Sequence, residues 1–259
     1  MTIISPQIAP RLLEGRLALV TGAGQGNGRA IARGLAAAGA RVIVTDLDGA
    51  NAARVASEIA AAGGEAWSYT LDVTDREACA TLARRVSQEI GELDVLVNNA
   101  GIIIREGIDS AQAAANLARV LDVNVLGTFH PIHAWLGSLR ATRGCIINVA
   151  SIAAASGIAG TLGYSPSKAA VKLLTQALAV ELAKDGVRVN AIAPGVIETP
   201  MTEATRAAPE KLQRFMSRTP MGRVGQPEEL IGPVVFLASA MASYVTGVTL
   251  PVDGGYLAS

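Results

Sequence analysis

The sequence predicts a single α/β domain on a doubly wound parallel sheet of about seven strands, with helices on both faces. Two observations carry this. Short β-branched runs alternate with longer alanine-rich segments of helical period along the whole chain. The short runs are nearly all apolar, without the inside/outside alternation of a sheet with one wet face, as expected where helices cover both sides. With 259 residues, 50% hydrophobic and 17% charged, the chain can bury one large core, and whole-chain disorder is excluded.

The elements follow in order. Residues 1–14 read as a short arm, lacking the basic and then apolar regions of a signal peptide. Strands are expected at Leu17–Thr21, Val42–Thr45, Ala66–Leu71, Val95–Asn98, Cys145–Val149, Val187–Ile192 and Val248–Val252. Helices are expected between them at Arg29–Ala38, Ala50–Ala62, Asp75–Ile90, Ala113–Leu139, Lys168–Lys184 and Pro227–Leu237. Right-handed crossovers then place the strands in one open sheet, and residues 15–259 form one domain. Only Glu198–Gln226 breaks the rhythm. It lies after the sixth strand, where a substrate lid would sit, and a lid is assigned to about residues 196–226. The plainer alternative is a surface helix pair over Glu203–Ser217 with no catalytic role.

Several function classes fall away on composition. Lysine plus arginine equal aspartate plus glutamate at 22 each, so neither a nucleic-acid surface nor an acidic tail is supported. Aromatics are 3%, too few for a base-stacking platform. Gly144–Ser167 carries no charge, but Asn148, Ser151, Gly157, Gly160 and Pro166 interrupt it, whereas a span needs ~20 predominantly apolar residues. A strand and loop in a water-soluble protein are expected. Cys79 and Cys145 stand far apart with no CxxC, which reads as a reduced, cytoplasmic protein without structural zinc.

Directly after the first strand comes Thr21-Gly22-Ala23-Gly24-Gln25-Gly26-Asn27-Gly28, and then a helix. The generic GxGxxG spacing does not fit. The context still supplies the physics: N–H groups at a helix N-terminus carry partial positive charge, and missing side chains admit a pyrophosphate. Asp46 ends the second strand, eighteen positions after Gly28. A carboxylate there accepts hydrogen bonds from a ribose diol and repels a 2′-phosphate. No arginine or lysine lies within the loop or directly after Asp46, so NAD is expected over NADP.

Tyr164-Ser165-Pro166-Ser167-Lys168 opens a helix, with Pro166 in its first turn. Tyrosine and lysine four apart share a face. A tyrosine of ordinary pKa ~10 must come down by about 3, or about 4 kcal/mol, to act as a base near neutrality. A neighbouring ammonium and a nicotinamide cation favour that change.

The ordered set resembles a classical short-chain dehydrogenase/reductase, with a Rossmann-type fold, from Gly15 to Gly255. The matching pieces are the Thr21–Gly28 loop, Asp46, Asp72-Val73, Asn98-Asn99-Ala100-Gly101, Asn124, Ser151, the Tyr164/Lys168 pair, Pro194-Gly195 through Thr199, and Asp253-Gly254-Gly255. The resemblance implies a catalytic tetrad. Tyr164 is the acid/base, Ser151 steadies the substrate oxygen, Lys168 holds the nicotinamide ribose, and Asn124 supports a water chain. It implies that Gly22, Gln25, Gly26, Asn27, Gly28, Asp46 and Leu47 contact the cofactor. Asp72 and Val73 would flank the adenine, Asn98, Ala100 and Gly101 would line the cleft, and Pro194, Gly195, Ile197 and Thr199 would grip the nicotinamide end. It also implies a homotetramer. Asn27 departs from the family, where isoleucine is usual.

His130 and His133 lack HExxH and a third ligand, so they read as structural and no metal site is expected. Ser151 is not in a GxSxG elbow, which argues against a hydrolase. The expected activity is hydride transfer between NAD(H) and a secondary alcohol or ketone, of polyol, sugar or related type, with Arg105 as a candidate specificity residue. The alternatives are a 3-oxoacyl thioester reductase and a non-catalytic dinucleotide-binding protein.

Overall fold

A computed structural model describes residues 12–259. The expected arm lies outside the described residues except for its last three positions. The chain runs β1 (Leu17–Val20), α1 (Gly26–Ala37), β2 (Arg41–Asp46), α2 (Gly49–Ala61), β3 (Ala66–Thr70), α3 (Arg76–Glu89) and β4 (Val95–Asn98). It continues with α4 (Ala113–Leu121), α5 (Gly127–Ala134), α6 (Leu136–Thr142), β5 (Cys145–Val149), α7 (Tyr164–Leu182) and β6 (Arg188–Pro194). It ends with α8 (Glu203–Arg206), α9 (Pro209–Met216), α10 (Ile231–Ala238) and β7 (Thr249–Val252). All seven strands are parallel, in the order β3-β2-β1-β4-β5-β6-β7.

Both faces are dry, and the strand residues divide between them with period two. Ala18, Val20, Val42, Val44, Val95 and Val97 pack with Ile31 and Leu35 of α1, Val55 and Ile59 of α2 and Val234 of α10. Leu17, Leu19, Ile43, Leu96 and Ile146 pack with Leu82 and Val86 of α3, Trp135, Leu139 and Leu182. The apolar run of each inner strand is thus two alternating sets, each with its own helical layer. The outer strands β3 and β7 are only partly buried, and β7 holds Pro251, tolerated at an edge where no partner needs its N–H.

The long helix expected over Ala113–Leu139 is broken. After α4 the chain widens into a π turn, Asp122–Leu126, and Pro131 sits inside α5. A new helix starts after Trp135. Proline interrupts the ladder and periodicity alone does not report it. Pro227–Leu230 is a 3₁₀ turn leading into α10, rather than the start of an α-helix.

The sheet order reverses between β1 and β4, and two side chains lock this junction. Thr21 Oγ1 accepts the N–H groups of Asn99 and Ala100, both at 3.1 Å. Asn99 Nδ2 donates to the carbonyls of Thr21 at 3.0 Å and Gly22 at 2.9 Å. The crevice above this switch point is where a doubly wound sheet binds its ligand.

Candidate active site

A cleft of about 390 Å³ opens along the carboxyl ends of the strands, from Asp46 and Leu47 at one end to Ser151, Tyr164 and Lys168 at the other. The glycine loop forms its floor. Gly22 and Gly26 have φ of +60° and +52°, and a Cβ on Gly22 would stand 2.8 Å from Ala100 Cα. Gln25 provides no side-chain cap for α1. The first-turn N–H groups are therefore left for an anion in a cradle without side chains, which fits a dinucleotide pyrophosphate. Gly28 is not on the cleft surface. It is buried, and a Cβ there would lie 2.2 Å from the Gly22 carbonyl oxygen. Its role is close packing beneath the loop.

At the β2 end of the cleft, Asp46 Oδ2 accepts Gly24 N–H at 2.8 Å and Oδ1 accepts Asp48 N–H at 3.0 Å. The carboxylate is thereby fixed at the rim with lone pairs to spare for two hydroxyls. Asp72 and Val73 line the cleft beside it. Thr74 donates to Asp72 through both hydroxyl (2.7 Å) and N–H (2.9 Å), which holds this carboxyl below the usual carboxylate range. His130 Nδ1 lies 3.0 Å from the Val73 carbonyl oxygen and His133 pairs with the Phe129 ring, so both histidines are structural. Among the described residues no cluster of three metal-ligating side chains occurs.

At the other end, the polar groups converge on Lys168. Lys168 is 5% exposed and donates to the Val149 carbonyl at 2.8 Å. Burial pulls its pKa from 10.5 down to about 8. Gly101 leaves room here: a Cβ on it would stand 3.1 Å from Asn124 Oδ1 and 3.5 Å from Lys168 Nζ. Asn124 sits in the π turn. Its amide accepts Ile102 N–H at 2.8 Å and donates to the Ile102 carbonyl at 3.0 Å and to Ser167 Oγ at 2.9 Å. Ser151 Oγ accepts the Ala153 N–H at 3.1 Å and turns its own hydroxyl toward the Tyr164 phenol. Burial pushes the Tyr164 phenol above its ordinary value, opposed by a hydrogen bond with Ser151 and the positive charge of Arg105.

Among the other expected residues, Gln25, Asn27, Ala100, Gly101, Pro194, Gly195, Ile197 and Thr199 line the cleft. Asn98 does not. Its side chain turns into the sheet and donates to Asn148 Oδ1 at 2.9 Å, and its neighbour Asn99 faces the cleft instead. Asp253 accepts the N–H groups of Gly255 and Leu257, both at 2.9 Å, and this turn backs Gly195, where a Cβ would stand 2.9 Å from Asp253 Cα. Arg119 also lines the cleft, near Asp72, although no motif in the sequence points to it. Arg105 reaches from the β4 loop to donate to the Met201 carbonyl at 2.7 Å.

The ends of the 196–226 segment are joined. Ile197 bridges Gly225, with Glu198 N–H to the Gly225 carbonyl at 2.8 Å and Gly225 N–H to the Val196 carbonyl at 3.0 Å. Met201 and Thr202, inside this loop, reach the cleft wall.

A family model described as enoyl-(acyl carrier protein) reductase matches residues 22–257. The chain is 42% identical over 254 residues to a galactitol 2-dehydrogenase (L-tagatose-forming) of Cereibacter sphaeroides, covering 94% of this chain and 96% of that one. It is 40% identical over 245 residues to a 3-oxoacyl-[acyl-carrier-protein] reductase of Thermotoga maritima, covering 94% and 98%. The chain belongs to the short-chain dehydrogenase/reductase family. A solved structure similar to this short-chain dehydrogenase/reductase is one described as an NAD(P)-dependent gluconate 5-dehydrogenase from Beutenbergia cavernae, with NADP bound at low occupancy. The two share 43% identity with a TM-score of 0.92, over 97% of this chain and 100% of that one. As a member of the family, this chain is an oxidoreductase acting on CH–OH groups with a nicotinamide cofactor. Among the described residues, no helix of this dehydrogenase/reductase is long and apolar enough to cross a membrane.

Proposed function

We propose that this short-chain dehydrogenase/reductase oxidises a secondary alcohol of a polyol, sugar or related small substrate, or reduces the matching ketone, with NAD as its preferred cofactor. The observation that carries the cofactor reading is the Asp46 carboxylate, pinned by Gly24 N–H at the adenosine end. Bound there, the dinucleotide supplies the hydride acceptor or donor. The protein does the rest. Tyr164 Oη takes the hydroxyl proton, and the Ser151 hydroxyl, hydrogen-bonded to the phenol before substrate arrives, turns to donate to the same substrate oxygen as charge develops on it. Lys168, pressed against the Val149 carbonyl, presents an ammonium on the face of Tyr164 that favours phenolate. Asn124 positions this pair through Ile102 and Ser167. Residues of the 196–226 loop close over substrate as a lid.

The substrate class is supported by the likeness to enzymes named for galactitol and gluconate. Homotetrameric assembly is supported by apolar side chains that α7 leaves exposed, Leu173 and Val180, and is read by light scattering. Two separate buried thiols, Cys79 and Cys145, support a reducing cytoplasmic setting. Reduction of a 3-oxoacyl thioester is the second reading, favoured by the likeness to the Thermotoga maritima enzyme. The test is absorbance at the NADH band with polyols, sugar acids and simple secondary alcohols, each with NAD and NADP, and the reverse assay with an acetoacetyl thioester. Turnover of a polyol or sugar with NAD is expected. Turnover of the thioester alone, with NADPH, replaces this reading by the second.

A further inference from the structure

Beside the glycine loop, arginines gather on Glu58 of α2. Arg29 Nε lies 2.8 Å from Glu58 Oε2 and Arg33 Nε lies 3.9 Å from it, while Arg54 Nη1 lies 2.8 Å from Oε1. Arg54 does more than pair with Glu58. Its Nη2 donates to the Gly24 carbonyl at 2.7 Å and lies 3.3 Å from Asn51 Oδ1. The N–H of that same Gly24 is on Asp46 Oδ2. One residue of the loop thus has the ribose-facing carboxylate on its N–H and a guanidinium on its C=O. The space between is tight, since a Cβ on Gly24 would stand 2.7 Å from Asn51 Cβ and 2.8 Å from Asp46 Oδ2.

The charges around this point balance: Arg29, Arg33 and Arg54 against Glu58, Asp46 and Asp48. A 2′-phosphate on the adenosine ribose would therefore meet not a wholly acidic rim but a carboxylate with a guanidinium one peptide away. The Arg54 side chain is about half exposed (48%), so a phosphate can reach its guanidinium from solvent and take the place of the Gly24 carbonyl as its acceptor. A guanidinium binds phosphate through paired N–H donors in a fixed fork. The hydride-transfer chemistry makes no use of this residue.

We propose that Arg54 is a second cofactor-specificity residue, opposing Asp46: its guanidinium receives a 2′-phosphate, so the cleft takes NADP as an alternative to NAD. This rests on the reading that Asp46 faces the adenosine ribose. A purely structural Arg54, stiffening the loop through Gly24 and Glu58, would instead affect both cofactors alike.

The test is calorimetric titration with two probes that differ only in the 2′-phosphate, 5′-AMP and adenosine 2′,5′-bisphosphate. The proteins are the full chain, Arg54→Met, Arg54→Lys, Asp46→Ser and Asp46→Ser/Arg54→Met. Asp46→Ser should strengthen the bisphosphate by about tenfold, and the double variant should lose most of that gain. Arg54→Met should weaken the bisphosphate and leave 5′-AMP within about twofold in either background, with Arg54→Lys falling between. Equal weakening of both probes by Arg54→Met overturns the proposal, as does unchanged discrimination, or no measurable bisphosphate binding, in both backgrounds. If Asp46→Ser alters neither probe, the Asp46 reading fails. The Arg54 comparison within each background still decides the role of the guanidinium.

Discussion

Lys168 holds its ammonium 5.8 Å from the centre of the Tyr164 ring, one helical turn along α7. The two groups are perturbed in opposite senses by one cause. Burial disfavours the charged form of each, lowering the lysine to about 8 and raising the phenol. The cleft is thus set to gain from anything that neutralises this pair as a unit, and transfer of a proton from Tyr164 next to a cationic Lys168 does so.

The pH dependence of stability follows from these values. Below about 8 the native state buries a charged Lys168, which the unfolded state does not. Between about 8 and 10.5 the unfolded chain binds the extra proton, so stability rises with pH as this cost is relieved. Cys79 and Cys145 act oppositely. Burial raises both from 9.0 to about 11, so above 9 the unfolded chain loses thiol protons first and stability falls. Denaturant midpoints under reducing conditions should therefore rise from pH 8 to 9 and flatten or fall above it. In Lys168→Met the rise should vanish.

Gly28→Ala tests the packing beneath the loop. Its Cβ would lie 2.2 Å from the Gly22 carbonyl oxygen and 2.5 Å from Asn99 Nδ2. Relieving both means moving the backbone of the cradle or breaking the Asn99 brace, at about 1–3 kcal/mol. A lower thermal midpoint together with weakened cofactor binding is expected. An unchanged NAD titration would remove the loop from the binding site.

Arg105 carries a charge felt at the Tyr164 hydroxyl and is tied by one N–H to the Met201 carbonyl. With donors left over, it suits a carboxylate on the substrate. Arg105→Met should lower kcat/KM for a sugar acid about tenfold relative to the neutral polyol of the same skeleton, one charged hydrogen bond's worth. An unaltered ratio would remove Arg105 from substrate selection.

Much of this was readable from the chain because the relevant signals are local. The apolar strand runs, the glycine loop after β1, Asp46 at the end of β2 and the Tyr164/Lys168 spacing all concern residues close in sequence. The unread parts depend on which way a side chain turns or on distant contacts. Of two adjacent asparagines, the last residue of β4, Asn98, points into the sheet toward Asn148 and Asn99 caps the Thr21 turn. The motif contains both and cannot say which meets the cleft. Arg54 is eight positions past Asp46 and reaches the loop only because α2 packs beside it. The π turn that carries Asn124 lies inside a helical pattern that continues on both sides.

The central claim is that Tyr164 moves the proton while the fold binds the dinucleotide independently of it. Tyr164→Phe removes one oxygen from a helix otherwise held by Lys168, Ser167 and the Asn124 amide. The decisive measurement pairs NAD titration with turnover on the best alcohol of the panel in this variant. NAD affinity within a few-fold of the unaltered chain, with turnover down at least about 10²-fold, is the expected result. Turnover near the original rate, with NAD still bound, would contradict the mechanism.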